Sequence, residues 1–237
     1  MAYQFTILVP IFNEEDGMER LFSKLSEYLE VDSRKTNVIL IDDGSSDNSR
    51  TLIKNYCKDK DDFQYILFKN NSGKGAALKA GFEATTAPVL GYIDADLQTY
   101  PEDFELLLPY IEEFQLVTGR RVTRQDSIIK RFSSRFGNGV RRIFTKDEMN
   151  DTGCPLKIIR TDYAKKIPLF AGLQRFLPAM ILLQDGKIKE IPINHYPRIA
   201  GESKYGFSNR FIGPLMDCFA YVWMKKTYIK YEISEKG

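Results

Sequence analysis

Apolar and polar positions follow two alternating periods in the first half of the chain. Short, almost continuous apolar runs predict buried strands at residues 5–10, 38–42, 65–69, 89–94 and 116–119. Apolar residues at helical spacing predict helices at residues 14–29 and 75–85, and a third helix that Asp47 caps and that runs through Cys57. Pro101 is expected to open a further helix, because proline suits the first helical turn. This alternation predicts an α/β fold with a mostly parallel sheet flanked by helices.

The alternation is less regular after Gly119. The pattern there predicts a basic helix at residues 127–144, a strand at 156–160, a helix near 176–184, a strand at 188–193 and an apolar C-terminal helix. We therefore expect one main domain at residues 1–205, with a regular part at 1–119 and a less regular part at 120–205. Residues 206–237 are expected to form a C-terminal appendage of amphipathic helix.

Composition and charge narrow the class of protein. The chain has 237 residues, of which 43% are hydrophobic and 28% are charged, as is ordinary for a soluble globular protein. A net charge of +2 gives no reason to expect nucleic acid as a partner. Three widely spaced cysteines without a metal-binding pattern suit a reducing cytoplasm. We also expect no signal peptide, since the N-terminus runs directly into a strand, and no spanning helix.

Polar side chains stand where three of the predicted strands end. They are Asn13 and Glu14 after the first strand, Asp42 and Asp43 at the second, and Asp94, Asp96 and Gln98 at the fourth. The carboxyl ends of parallel strands share one edge of a sheet, and ligands bind at that edge. Hard oxygen ligands of this kind suit Mg²⁺ or Mn²⁺ better than zinc, and such an ion usually bridges carboxylates to a diphosphate. A D-x-D triplet is also common in solvated turns, so its neighbours must carry the argument.

Several other patterns exclude alternatives. The turn N-S-G-K-G at residues 71–75 lacks the spacing of a phosphate loop, which disfavours a nucleotide hydrolase, although a helix that starts there would still attract an anion. No G-x-G-x-x-G follows the first strand, which disfavours a dinucleotide oxidoreductase. The single histidine, His195, lies beside Tyr196 and Pro197 and is expected in a loop or the core rather than as a general base.

Taken in order, the motifs resemble a known family. They are V-P-I-F-N-E from residue 9, I-D-D-G-S-S-D from 41, G-K-G-A-A-L from 73, D-A-D-L-Q from 94, G-R-R from 119, D-T-G from 151 and R-I-A-G-E-S-K-Y from 198. This ordered set resembles the family 2 glycosyltransferases of GT-A fold, the nucleotide-diphospho-sugar transferase fold. The D-A-D-L-Q form is similar to the dolichol-phosphate mannosyltransferase group, which moves a sugar from a nucleotide donor to a polyprenyl phosphate. The chain departs from that group at Phe12, where Tyr is common, and at T-G-C-P from residue 152, where S-G-F-R is frequent.

The resemblance implies a division of labour between the two parts of the main domain. Residues 1–119 would form a donor half that binds the nucleotide sugar, GDP-mannose or a UDP-hexose, and 120–205 an acceptor half. Mg²⁺ or Mn²⁺ held by Asp96 and Gln98, with Asp94 close by, would stabilise the departing diphosphate. The donor-side contacts that the resemblance implies are Pro10, Phe12 and Glu14 at the base and ribose, Asp42 at the base edge, and Asp43, Lys74 and Ala95 nearby.

On the acceptor side the resemblance implies cations. A polyprenyl phosphate is ionised at neutral pH, so its attack on the sugar, with inversion at the anomeric carbon, needs no strong general base. It needs positive charge that brings two anions together, and guanidinium groups match phosphate oxygens well. The implied phosphate-binding residues are Arg121, Arg131, Arg135, Arg198, Ser203 and Lys204. Asp151 would orient the acceptor, or act as a base if the acceptor were a hydroxyl.

Two amphipathic stretches suggest where such an enzyme would work. The basic helix at residues 127–144 and the apolar run at 211–224, which precedes Lys225 and Lys226, predict attachment to the cytoplasmic face of a membrane. The run carries Asp217 and is too short to span a bilayer. Packing on the domain or a homodimer interface is the alternative. For the activity, the alternatives are a transferase with a soluble or polysaccharide hydroxyl acceptor, and a non-catalytic nucleotide-sugar-binding protein.

Overall fold

A seven-stranded sheet forms the centre of the molecule. The computed structural model describes residues 2–122, 139, 141–168, 170, 172–197, 212–229 and 235. The strands are β1 (Phe5–Ile11), β2 (Thr36–Asp42), β3 (Phe63–Leu67), β4 (Val89–Tyr92), β5 (Leu116–Arg121), β6 (Lys157–Arg160) and β7 (Ile188–Ile193). Their order across the sheet is β3-β2-β1-β4-β6-β5-β7.

Only one of these strands runs against the others. β1 pairs in parallel with both β2 and β4, and β2 pairs in parallel with β3. β6 lies antiparallel between β4 and β5, while β7 is parallel to β5. The prediction of a mostly parallel sheet is therefore confirmed. The carboxyl ends of β1, β2 and β4 lie at one edge.

Helices cover both faces of the sheet. They are α1 (Met18–Val31), α2 (Ser49–Cys57), α3 (Lys74–Ala84), α4 (Phe104–Leu107), α5 (Thr161–Lys165), α6 (Leu173–Leu183) and α7 (Ile212–Thr227). Successive residues of β1 enter different cores: Ile7 and Val9 pack with α1 and α2, and Leu8 packs with α3 and α6. At Gly81 of α3 an added Cβ would lie 2.8 Å from side-chain atoms of both Leu8 and Ile41, so a larger residue would require these side chains to shift.

Several element boundaries depart from the sequence pattern: β3 lies two residues earlier than predicted, and α6 begins three residues earlier. The predicted bounds of β7 agree with the structure, and β1 is one residue longer than predicted. β4 ends at Tyr92, two residues earlier than predicted, so Asp94 lies on a turn. The first helix begins as a 3-10 turn at Glu15–Gly17, and Pro101 likewise opens a 3-10 turn, Pro101–Asp103, before the short α4. The helix after β2 has its N-cap at Asn48, although Asp47 accepts the Ser49 N–H (3.0 Å).

The C-terminal helix packs against the main core. On α7 the side chains of Cys218 and Tyr221 are buried in the cluster that α3 and α6 form on the sheet. Asp217 pairs with Arg175 of α6 (2.9 Å). Most of the predicted basic helix lies outside the described residues, but 141–145 are helical. In the described part of the chain, no helix has both the length and the apolar character that crossing a membrane requires.

Candidate functional site

Sharp turns follow the strands at the predicted edge. Asn13 (φ 52°), Gly44 (φ 74°) and Leu97 (φ 50°) all adopt left-handed backbone conformations within a few residues of the ends of β1, β2 and β4. Such conformations cost free energy for residues other than glycine, and they cluster at functional sites. Pro10, Phe12 and Glu14 are partly exposed along this edge, whereas Ala95 is buried.

The loops after β1 and β2 are tied together by reciprocal hydrogen bonds. The Asn13 N–H donates to Ser45 Oγ (2.9 Å), and the Ser46 N–H donates to Asn13 Oδ1 (2.7 Å). The Glu14 N–H donates to Ser49 Oγ (3.0 Å) at the start of α2. Ser45 in the D-D-G-S-S-D motif and Ser49 just after it therefore shape the edge, because their hydroxyls accept from backbone N–H groups of the neighbouring loop.

Asp42 and Asp43 hold the scaffold of the edge. Asp42 is fully buried; Arg50 donates to its Oδ2 (3.0 Å), and the Ser45 N–H donates to its Oδ1 (3.1 Å). This carboxylate offers no exposed surface to a nucleobase in the structure, so the contact with the base edge that the resemblance implies stays a prediction. The task that the structure gives to Asp42 is to anchor Arg50 and the turn at Ser45.

Asp43 fixes the turn that leads into α3. Its carboxylate accepts from the Asn71 side chain (3.0 Å) and from the N–H groups of Ser72 (2.7 Å) and Gly73 (3.2 Å). Burial raises the pKa of this carboxyl, and the two backbone donors partly offset that effect. The sequence motif indicated both the acid and the glycine turn, but not that they bind each other.

The turn after β4 brings a lysine to the acidic motif. Lys74, the first residue of α3, forms an ion pair with Asp94 Oδ1. The Gln98 N–H donates to Asp96 Oδ1 (3.2 Å), which folds the D-A-D-L-Q segment back on itself. Because β4 has already ended, Asp94 and Asp96 are grouped by this turn and not by strand alternation.

The chemistry of this turn fits a divalent cation. Two carboxylates and an amide provide hard oxygen atoms of the kind that Mg²⁺ and Mn²⁺ prefer. Within the described residues, no group of three or more His, Cys, Asp or Glu side chains converges to form a complete metal site. Mg²⁺ sites commonly use one or two protein carboxylates and complete their coordination with substrate phosphates. Asp94, Asp96 and Gln98 are suited to that kind of shared site.

On the other side of β4 a buried ion pair organises the chain. Arg121, the last residue of β5, donates from Nε and Nη2 to the two oxygens of Asp151, at 2.7 Å each. Both side chains are almost fully buried. The sequence suggested Arg121 as a phosphate ligand and Asp151 as an orienting group or base. The structure pairs the two with each other, and their direct roles toward a substrate stay predictions.

The segment after β7 also reaches the acidic turn. The Tyr196 N–H donates to the Gln98 carbonyl (2.9 Å), and the rings of Tyr196 and Tyr100 lie 4.4 Å apart. Arg20 donates to the Tyr100 hydroxyl (2.9 Å). No motif indicated these tyrosines, because their contacts join distant segments. His195 lies in this loop, as the sequence predicted.

Five of the predicted phosphate-binding residues lie outside the described residues. They are Arg131, Arg135, Arg198, Ser203 and Lys204. The nearest described residue before Arg198 in the sequence is Pro197, which follows the contact between Tyr196 and the Gln98 turn.

Comparison with known proteins gives matches over most of the chain. The model of the family described as glycosyl transferase family 2 matches residues 6–167. An undecaprenyl-phosphate 4-deoxy-4-formamido-L-arabinose transferase of Shewanella sediminis is 34% identical over 206 residues, which are 86% of this chain and 62% of that protein. A dodecaprenyl-phosphate galacturonate synthase of Rhizobium johnstonii is 29% identical over 216 residues, 89% of this chain and 64% of that protein. The chain thus spans less than two thirds of the length of these relatives.

Solved structures agree with the architecture. Glucosyl-3-phosphoglycerate synthase from Mycobacterium tuberculosis, in complex with phosphoglyceric acid, superimposes with a TM-score of 0.70 at 15% identity, over 94% of this chain and 80% of that chain. The same protein with Mn²⁺, UDP-glucose and phosphoglyceric acid gives a TM-score of 0.68 at 16% identity, over 94% and 79%. At this level of identity the likeness establishes a shared fold.

Proposed function

The chain belongs to glycosyl transferase family 2, and from that premise we propose that it transfers a sugar from a nucleoside-diphosphate sugar to a polyprenyl phosphate. The reaction depends on Mg²⁺ or Mn²⁺ and inverts the anomeric carbon. The observation that carries the proposal is the acidic turn at residues 94–98, which adjoins Lys74 at the edge where β1 and β2 also end. Two relatives whose names specify a polyprenyl-phosphate acceptor support the choice of acceptor.

The donor side of the proposed site combines a metal position with fixed positive charge. The bound ion would be held by Asp96 and Gln98, with Asp94 beside them, and would act as a Lewis acid on the departing diphosphate. Lys74 lies at the start of α3, where the helix dipole adds to its own charge. Both features favour an anion at this edge. Asp43 holds the turn in front of α3 and so keeps Lys74 near Asp94.

The acceptor side is proposed to use cations rather than a base. Arg198, Ser203 and Lys204 follow Tyr196 in the sequence, and Arg131 and Arg135 belong to the predicted basic helix. An ionised phosphate needs these charges to approach the donor. A hydroxyl acceptor, with Asp151 as base, is the second candidate. The bidentate pairing of Asp151 with Arg121 counts against it, because both carboxylate oxygens already face a guanidinium.

The exposed side chains on the outer face of α7 support peripheral attachment of the protein to the cytoplasmic face of a membrane. Met216, Phe219 and Trp223 are all more than half exposed and lie on one side of the helix, and Lys225 and Lys226 follow. The Phe144 ring contacts Phe219, and its neighbour Ile143 is 74% exposed. A row of exposed aromatic residues beside lysines suits the interface of anionic lipid.

Co-sedimentation with anionic vesicles tests this membrane attachment. The fraction of protein that sediments with the vesicles should fall with added salt, whereas a homodimer through this face would show in light scattering as a doubled mass without lipid.

A thermal-shift experiment tests the donor side. GDP-mannose, UDP-glucose and UDP-N-acetylglucosamine are each added with Mn²⁺ or with EDTA, and ligand binding raises the melting temperature. We expect one nucleotide class to stabilise the protein only with Mn²⁺, and Asp96→Asn to remove that increment. Asp162→Asn, a change at an exposed carboxylate of α5, is the matched control. Stabilisation that is equal in EDTA would overturn the metal assignment.

The anomeric configuration of the product distinguishes inversion from retention. With a gluco-configured α-linked donor, inversion gives a β-linked product, which the anomeric proton coupling identifies. An α-linked product would contradict direct displacement. Glycosylation of hydroxyl acceptors, without any product on polyprenyl phosphate, would move the second candidate to the front.

A further inference from the structure

A lysine lies fully buried beneath the loop that carries Asp151. Lys157, the first residue of β6, has no solvent-exposed surface. Its ammonium group donates to the Thr152 carbonyl (3.1 Å) and to the Cys154 carbonyl. Both carbonyls belong to residues 150–154, here called the Asp151 loop. Buried lysines are rare, because the charge loses its hydration, so this one requires a compensating role.

The same ammonium group connects the loop to the acidic edge. It lies 5.3 Å from the centre of the Tyr92 ring, and Tyr92 pairs with Lys157 across β4 and β6. The Lys74 ammonium lies 5.5 Å from that ring centre, and Lys74 is the partner of Asp94. One aromatic ring at the end of β4 therefore contacts a cation from each side of the proposed active site.

Side chains of β5 and β7 make the other contacts to the Asp151 loop. Glu190 of β7 accepts the N–H groups of Asn150 (3.0 Å) and Asp151 (2.8 Å), and Arg121 holds the Asp151 carboxylate. Among the described contacts, Lys157 is the group that satisfies loop carbonyls from the core side. A buried carbonyl that loses its donor is costly, so removal of Lys157 favours an opened loop.

We propose that Lys157 is a positioning residue of this transferase, which braces the Asp151 loop against Tyr92 and so sets the acceptor half of the site against the donor half. This inference rests on the proposed function for its catalytic consequence. Its structural consequence can be measured without any activity.

The charges that surround Lys157 agree with a bracing role. The pKa of its ammonium is lowered to about 8, chiefly by burial; Cys154 and Asp151 act to raise it, and the neighbouring Lys74 and Arg121 act to lower it. The neutral amine retains two N–H donors, so either protonation state can serve two carbonyls. The brace therefore does not depend on the charge. A methionine of similar length would fill the space but remove the lysine donor from both carbonyls.

Cys154 provides a reporter within the loop, and the other two cysteines provide internal controls. All three thiols are free and buried, and Cys154 Sγ packs against Gly119. We would alkylate Lys157→Met with iodoacetamide under native conditions and quantify each cysteine by mass spectrometry. Lys79→Met is the matched control, because it removes a lysine that donates to the Lys165 carbonyl, away from the loop.

The expected result is selective exposure. Cys154 should react about tenfold faster, or more, in Lys157→Met, while Cys57 and Cys218 keep wild-type rates, as expected for a local opening. Lys157→Arg, which retains donors, should restore part of the protection. Transfer assays should show a raised acceptor KM or lowered kcat with an unchanged donor KM.

Two outcomes would overturn the proposal. Wild-type protection of Cys154 in Lys157→Met would show that the loop does not need the lysine. Equal exposure of all three cysteines, both in Lys157→Met and in the milder Lys157→Gln, would make Lys157 a general stabiliser of the core. If the wild-type protein transfers no sugar to any polyprenyl phosphate, the proposed function fails, but the alkylation pattern still decides the role of Lys157.

Discussion

The two halves of the proposed site are held together by different forces. In the donor half, loops after neighbouring parallel strands exchange hydrogen bonds, such as those from the N–H groups of Ser72 and Gly73 to Asp43. In the acceptor half, buried charges organise the loop: Arg121 with Asp151, and Lys157 with two carbonyls. Donor-side geometry should therefore be sensitive to backbone shape, and acceptor-side geometry to the removal of a buried ion-pair partner or hydrogen-bond donor.

The largest expected loss of stability comes from a change in the backbone of the donor half, at Gly44. Gly44 has φ 74°, and an added Cβ would lie 2.5 Å from Asn71 N and 3.0 Å from Asn70 Cα, which are backbone atoms that cannot rotate away. We expect Gly44→Ala to lower the free energy of unfolding by about 4 kcal/mol or more, or to prevent folding, since a clash adds to backbone strain. Urea denaturation measures this.

Two other glycines separate the causes at Gly44. Gly73 has φ 88° but open space around a Cβ, so Gly73→Ala should cost only the backbone strain, about 1–3 kcal/mol. Gly17 has neither problem, and Gly17→Ala should change stability by less than about 0.5 kcal/mol. Equal losses of stability in Gly44→Ala and Gly73→Ala would mean that the backbone at Gly44 is not closely packed against the backbone of Asn70 and Asn71.

An intermediate effect is expected at the buried pair of the acceptor half. Arg121→Met or Asp151→Asn alone should each cost about 3 kcal/mol, because either change leaves a buried partner without its counterpart. The double variant should cost clearly less than the sum of the two, as a double-mutant cycle in urea would show. Additive costs would contradict a direct pair.

The effect with the smallest change between successive measurements is a dependence of stability on pH. Between the folded pKa of Lys157, about 8, and its ordinary value of 10.5, the unfolded chain binds a proton that the folded chain has released. The free energy of unfolding should therefore rise with pH in this window, by at most about 1.4 kcal/mol per pH unit, relative to Lys157→Met. Parallel curves for the two proteins would contradict the buried, desolvated ammonium.

The same contrast explains what the sequence could predict. Strands and helices of residues 1–119 came close to their observed bounds, because each apolar run and each amphipathic stretch is a local signal. The grouping of Asp43 and Asp94 at one edge followed from parallel β-α connectivity. The antiparallel insertion of β6 between β4 and β5 could not be predicted, because strand pairing is non-local.

The pairing of side chains within the site also could not be predicted from the sequence. Lys157 lies in the segment L-K-I-I-R, where the sequence pattern predicts that a lysine faces solvent. It is a buried donor because residues 150–154 cover it in the fold. The partnerships of Lys74 with Asp94 and of Arg121 with Asp151 join residues 20 and 30 positions apart. Motifs indicated the residue types but not which of them bind one another.

The most direct test of the central claim is a transfer assay with a defined polyprenyl phosphate. The protein is incubated with the nucleotide sugar that stabilises it, Mn²⁺ and the lipid, and products are identified by mass spectrometry. We expect a glycosyl polyprenyl phosphate that disappears with EDTA and with Asp96→Ala, while Asp162→Asn retains activity. Release of free sugar alone, or transfer that persists in Asp96→Ala, would contradict the proposed function.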